Sequence, residues 1–241
     1  MLEQYDKIAE QYKKSRENIV RQHIVIPTFF EFLGNIKDEK VLDLACGFGF
    51  FTRCIKEKGA SEVVGVDISQ EMIRLARQKE DERPLGIKYL NYDVATLPKI
   101  GEFDLVTAVF LLHYAKTKKD LFAMCKNIYN NLKEGGRFIT INSDPLSSLQ
   151  SDEKYGYTVT AKEPLKEGGT LTVKIFINGV EKCSFEEYFW KKETYEDALK
   201  SAGFKTIEWH KIIVSQEGIE KFEKDFWKKC QDGLALIECE K

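Results

Sequence analysis

Between residues 40 and 142 the chain alternates short apolar runs with longer stretches of helical periodicity, and few folds accommodate that rhythm. "KVLDLA" (Lys40–Ala45) precedes a helical run Phe51–Lys58 that stops at Gly59. "EVVGVD" (Glu62–Asp67) precedes Ser69–Lys79, where Ser69 is placed to cap the helix. "GIKYLN" (Gly86–Asn91), "FDLVTAVF" (Phe103–Phe110), a helix over Lys119–Leu132 and "GGRFITIN" (Gly135–Asn142) continue the series. Repeated strand–helix–strand units predict a parallel α/β sheet with helices on both faces.

The flanks depart from this pattern. Tyr5, Ile8, Ala9 and Tyr12 recur at helical spacing, and a second helix spans Ile19–Leu33 with a break or kink at Pro27. Residues Tyr155–Trp190 predict two or three antiparallel strands that turn at Gly168-Gly169 and Asn178-Gly179. A helix over Thr194–Gly203, a strand over Lys205–Val214, a helix over Glu217–Lys229 and a strand over Leu234–Glu240 complete the chain. No repeat or linker interrupts it. The expectation is one domain, 1–241, with a helical cap (1–34), a ligand-binding core (35–145), an antiparallel lid insertion (150–192) and a C-terminal completion of the sheet (193–241).

Bulk composition removes several classes of function. Basic and acidic residues nearly cancel, 37 against 39, which disfavours nucleic acid as the main partner; "KTKK" (Lys116–Lys119) reads as a solvated helix start. No apolar stretch approaches the roughly 20 residues of a membrane span. The charged, periodic "MLEQYDKIAEQYKKSRE" is not a secretory signal. The six cysteines form no C-x-x-C pair and have no histidine at zinc-site spacing, so they read as reduced, mostly buried thiols in a cytoplasmic protein without a metal site.

The first strand–turn–helix, "VLDLACGFGFFT" (Val41–Thr52), is where an open parallel sheet places its ligand. A dinucleotide site wants G-x-G-x-x-G there, but Gly47 and Gly49 are followed by Phe50, Phe51 and Thr52. A Gly-Lys-Ser/Thr phosphate loop is absent too. Asp43 would repel a pyrophosphate and suits a ligand with positive charge.

An acidic residue followed by G-x-G at this turn resembles the class I S-adenosylmethionine-dependent methyltransferases, with Ala45 where the usual pattern has its first glycine. Asp67 ends the second strand, Asp93 lies in "NYDVA" after the third, and "LKEGGRF" (Leu132–Phe138) matches the turn into the fifth. The resemblance implies a Rossmann-like, doubly wound sheet of seven strands, mostly parallel with an antiparallel last strand. It also implies S-adenosylmethionine as cofactor, with S-adenosylhomocysteine as product. Asp67 would then accept both ribose hydroxyls, Asp93 the adenine amino group, and Val94 would offer its backbone N–H to the base. Ile68 and Met72 would supply apolar faces, Tyr5 and Tyr12 would touch the methionine portion, and Phe110 would complete the pocket.

The segment after the fourth strand, "TAVFLLHYA" (Thr107–Ala115), carries no [DN]-P-P-[YF], no Pro-Cys and no carboxylate cluster. That favours a small-molecule acceptor approached directly. "YDKIAEQY", "FLLHYA", the antiparallel insertion, "TYEDALKSAGF" and "EWH" resemble toxoflavin-biosynthesis-type N-methyltransferases, implying a nitrogen on a flat or heteroaromatic acceptor. Oxygen is the alternative atom; a non-catalytic cofactor-binding protein, and an RNA or protein methyltransferase, are the alternative functions. His113 is the candidate base, with a hydrogen-bonded structural histidine as the competing reading. Arg16, Tyr114, Tyr157 and Trp190 are candidate acceptor contacts, and the aromatics of the insertion divide between acceptor wall and packing. Phe48 stands where these enzymes often carry Thr. The protein is expected to be a monomer or homodimer.

Overall fold

The computed structural model describes residues 2–14, 17–144, 152–161, 164–223, 225–231 and 233–241. Strands β1 (Lys40–Leu44), β2 (Glu62–Asp67), β3 (Lys88–Asn91), β4 (Phe103–Val109), β5 (Leu132–Ser143), β9 (Thr206–Lys211) and β10 (Leu234–Glu240) form one sheet in the order β3-β2-β1-β4-β5-β10-β9. The first five are parallel, while β10 runs antiparallel to both β5 and β9. This is the expected mostly parallel, Rossmann-like sheet. Its strand order reverses between β1 and β4, where a crevice opens at the strands' carboxyl ends.

Alternation along the strands feeds two cores. Leu42, Leu44, Val106, Ala108 and Phe138 pack beneath helices α5 (Lys118–Asn131) and α6 (Lys192–Ala202). Val41, Val63, Leu105 and Ile139 meet α2 (Ile26–Leu33) and α3 (Phe50–Glu57) on the other face, along with Ile73 and Ala76 of α4 (Gln70–Glu82). Ser69 caps α4, its hydroxyl accepting from Met72 N. Thr117 and Asp120 form a capping box at the start of α5, and Lys116–Lys119 are exposed there.

The insertion folds as a separate three-stranded antiparallel sheet: β6 (Tyr157–Ala161), β7 (Thr170–Ile177) and β8 (Val180–Tyr188). Asn178 and Gly179, at φ 52° and 73°, supply the left-handed pair that a tight β7–β8 hairpin requires. One face of this sheet (Val159, Val173, Cys183 and Phe185) packs with Tyr5, Ile8 and Tyr12 of α1 (Leu2–Lys14).

One expected helix is met and one differs. Ile19–Leu33 is helical throughout, with an irregularity ahead of Pro27: Arg21–Val25 is a π-helical turn, Ile26 N–H bonds back to Arg21 O, and α2 starts with Pro27 in its first turn. Proline lacks an N–H and its ring crowds the preceding turn, so the helix widens ahead of it. Glu217–Lys229 is divided into α7 (Gln216–Lys221) and α8 (Lys228–Gln231). Phe222, Phe226 and Trp227 have helix-like spacing, but the chain bends to bury Trp227 against His23, with its Nε1 donating to Gly218 O at 2.9 Å.

Candidate active site

The crevice at the strand ends holds an outer cavity. Ala45 and Gly47 line it from the β1–α3 turn, Asp67, Ile68 and Met72 from β2–α4, and Asp93 and Val94 from beyond β3. Phe110 and Tyr114 follow β4, and Tyr5 and Tyr12 of α1 close the opposite side. Residues spread over more than 100 positions of sequence therefore face one space.

The turn's shape depends on its backbone. Gly47 and Gly49 have φ of 55° and 82°, the left-handed region, and Ala45 is there too at 52°. In a residue with a Cβ that conformation carries strain, so the Ala45 departure from the usual glycine is a local cost. Phe110, on the wall between β4 and the cavity, is also left-handed at φ 64°.

Asp67 is 8% exposed, and its two oxygens accept N–H groups from Gly47 and Ser69, each at 2.8 Å. Burial pushes its carboxyl up to about 6; the two backbone donors oppose the rise and the Asp6 carboxylate adds to it. A carboxylate has about four lone-pair sites, so two remain for a ligand. Asn91 holds the same loop, donating from Nδ2 to Asp67 O and Ile68 O at 3.0 and 2.8 Å. Asp93 caps the short turn Val94–Thr96 through Ala95 N at 2.9 Å.

Asp43 and Gly49 do not line the cavity. Asp43 shares the Val41 face of β1, is 2% exposed, and accepts hydroxyls from Thr52 of α3 (2.6 Å) and Thr107 of β4 (2.8 Å). Burial pushes it up to about 6, against those two hydroxyls. It lies behind the turn. Gly49 caps α3 and passes beneath Tyr89.

A second, inner cavity adjoins the first and shares Tyr12, Phe110 and Tyr114 with it. Tyr157, Val159, Val173 and Phe185 of the three-stranded sheet form an apolar wall. The polar groups facing it include Asn18, Arg21, His113, Ser143 and Glu187. His113 is 2% exposed and is pushed down to about 3 by burial, which a contact with the Asn142 side chain opposes.

Trp190 is not part of either wall. It is buried in the core, and its Nε1 donates to Ala115 O at 2.9 Å. Of the other insertion aromatics, Tyr155 packs on Phe226, away from both cavities. Arg16 lies outside the described residues. Sequence reasoning missed Arg21 and Glu187. The signal for Glu187 was available: it shares strand parity with Cys183 and Phe185 on the buried face of β8, while Glu186 faces out.

Helix α1 is tied to both flanks of the site. The Asp6 carboxylate accepts from Ser69 Oγ (2.5 Å) and Glu71 N (3.1 Å), and Gln4 pairs with the Glu186 backbone through both of its amide atoms. Tyr5 and Tyr114 hydroxyls hydrogen-bond to each other between the cavities. Phe48 packs with Ala9 and Met72, so the residue replacing the usual Thr seats α1 on the turn.

The family described as "Methyltransferase domain" matches residues 41–136, the segment that contains this turn and both carboxylates of the outer cavity. Over that segment, under half of its length, the chain is similar to this methyltransferase family. An uncharacterised protein of Haemophilus influenzae is 30% identical over 156 residues, 61% of this chain and 59% of that one, so the chain spans less than two thirds of this relative. A demethylmenaquinone methyltransferase of Lactococcus lactis is 28% identical over 193 residues, 74% of this chain and 71% of its own. A crystal structure of an S-adenosylmethionine-dependent methyltransferase from Mesorhizobium loti has the same fold: TM-score 0.65, 22% identity, 89% of this chain and 96% of that one. The outer cavity suits the cofactor of these methyltransferases. It offers a buried carboxylate in Asp67, a half-buried one in Asp93 and apolar side chains, as a phosphate-free adenosyl cation requires, and among the described residues no lysine or arginine lines it. Among the described residues no helix is long and apolar enough to cross a membrane.

Proposed function

We propose that this chain transfers a methyl group to a flat small-molecule acceptor seated in the inner cavity. One observation carries the reading: the two cavities meet at Tyr12, Phe110 and Tyr114, one with cofactor chemistry and the other apolar with a few polar groups. When bound, S-adenosylmethionine supplies a methyl group on a sulfonium. Asp67 accepts the ribose hydroxyls, Asp93 the adenine amino group, and Val94 N–H meets the ring. Ile68 and Met72 pack on the base, and Tyr5 and Tyr12 flank the methionine portion. Asp43 acts through its field from behind the turn. The apolar walls exclude water and align the acceptor, which favours a step that disperses charge.

The acceptor atom is nitrogen, in keeping with the resemblance to toxoflavin-biosynthesis-type enzymes. Oxygen is the second reading, favoured by the buried Glu187 carboxylate in the cavity wall. A relative named for demethylmenaquinone supports a small acceptor over nucleic acid or protein. Six free thiols, five of them buried, suit a reducing compartment such as the cytoplasm. Incubation with methyl-labelled cofactor and filtered or retained fractions of a cell extract tests this. Label is expected in the small-molecule filtrate; label confined to RNA or protein would refute it.

Asp67 must be ionised to accept two hydroxyls. With its carboxyl near 6, cofactor affinity is expected to rise about tenfold from about pH 5 to pH 7 and then level off. In the ligand-free protein the sign reverses. Asp43 and Asp67 both hold protons more tightly folded than unfolded, so stability falls as pH rises from about 4 to about 6. Calorimetric affinities and melting curves over that range check both.

A further inference from the structure

We propose that Glu187 is the proton acceptor of the inner cavity, taking a proton from an acceptor O–H or N–H while an anionic edge of the same molecule meets Arg21. This rests on the two-cavity reading above. Glu187 reaches the cavity from β8, is 3% exposed, and takes a hydrogen bond from Ser143 Oγ at Oε1, 3.1 Å. Its Oε2 lies 3.5 Å from His113 Nε2. His113 is buried on the same wall, between Asn142 and Glu187, so the two titratable side chains face the cavity as a pair.

Arg21 supplies the opposite charge. Its Nε is buried without a partner, and it makes no ion pair among the described residues. The guanidinium sits 5.6 Å from the Tyr12 ring and 5.7 Å from that of Phe51, held by ring faces and left without an anion. A flat molecule with a carboxylate or similar oxyanion at one edge and an acidic O–H or N–H elsewhere satisfies all three side chains.

In the step, the acceptor's lone pair forms the bond to the transferred methyl carbon. The carbon–sulfur bond breaks with its electron pair returning to sulfur, and the acceptor's proton passes to Glu187, then to water as product leaves. Burial pushes Glu187 up to about 7, with the Ser143 bond opposing, so the carboxylate is both available and basic near neutrality. His113 stays neutral beside it and acts as a positioning residue. The other groups facing Glu187 are Arg21, Tyr12 and the tyrosines Tyr5, Tyr114, Tyr157 and Tyr195; burial raises these last four, which remain protonated.

Two probes separate the proton from the methyl group. 4-Hydroxybenzoate and nicotinate are both flat carboxylates, but the hydroxyl must lose a proton whereas the pyridine nitrogen offers a free lone pair. Release of S-adenosylhomocysteine is measured with each from about pH 6 to pH 8. For 4-hydroxybenzoate, wild-type kcat is expected to rise through about pH 7. Glu187→Gln, whose amide oxygen still accepts from Ser143, is expected to flatten that rise. It should also lower the hydroxybenzoate-to-nicotinate rate ratio by about 100-fold, with KM changed less than about threefold. Arg21→Gln should raise KM for both probes. An unchanged ratio and a persistent pH rise in Glu187→Gln would overturn the proposal, as would wild type that binds S-adenosylmethionine yet turns over neither probe. Wild type that fails to bind S-adenosylmethionine would instead overturn the two-cavity reading. Retained S-adenosylmethionine affinity shows that each variant is folded.

Discussion

Asp67→Ala is expected to weaken S-adenosylmethionine binding by about 1–3 kcal/mol, roughly 5- to 150-fold, in a calorimetric titration near neutral pH. The loss has two sources. The ribose hydroxyls lose a charged acceptor, and the N–H groups of Gly47 and Ser69 lose the oxygens that hold the two turns together at 2.8 Å. Asp67→Asn separates them, because its amide retains one acceptor oxygen but no charge. It should fall between wild type and Asp67→Ala, and its affinity should no longer depend on pH between about 5 and 7. S-adenosylhomocysteine has the same ribose, so its affinity should fall in parallel. Unchanged affinity in Asp67→Ala would remove Asp67 from the cofactor site.

Gly49→Ala is expected to cost about 2–5 kcal/mol of stability, the sum of left-handed strain and overpacking. The residue sits at φ 82°, and an added Cβ would lie 2.5 Å from the Tyr89 hydroxyl oxygen and 3.0 Å from its Cζ. Tyr89 is 4% exposed and packs in the core beneath α3, so it has little room to yield. A chemical denaturation series measures the loss. The variant that does fold should bind cofactor nearly normally, because Gly49 lies outside the outer cavity. Loss of binding in a fully stable variant would contradict this assignment and return Gly49 to the ligand.

These two residues show how far sequence reasoning reaches. The β1–α3 turn, Asp67 and Asp93 could be read because the parallel-sheet rhythm fixes where strands end, and strand ends are where ligands bind. Position along a strand does not by itself state which face a side chain takes. Parity with Val41 puts Asp43 on the α3 face, where its carboxylate accepts from Thr52 and Thr107. Glu187 stands in an acidic pair, and its parity with Cys183 and Phe185 along β8 marks it as the inward member. Trp190 follows the end of β8, where strand parity no longer applies, and its indole turned to Ala115 O. The split of Glu217–Lys229 reflects tertiary burial of Trp227 overriding an apolar spacing that fits a helix.

Isothermal titration of the wild-type protein with S-adenosylmethionine and, separately, with a nicotinamide dinucleotide asks whether the elbow beyond β1 takes an adenosyl cation or a diphosphate. Saturable one-to-one heat with the sulfonium compound and none with the dinucleotide is the predicted result. Saturation by the dinucleotide, with silence from S-adenosylmethionine, would contradict it.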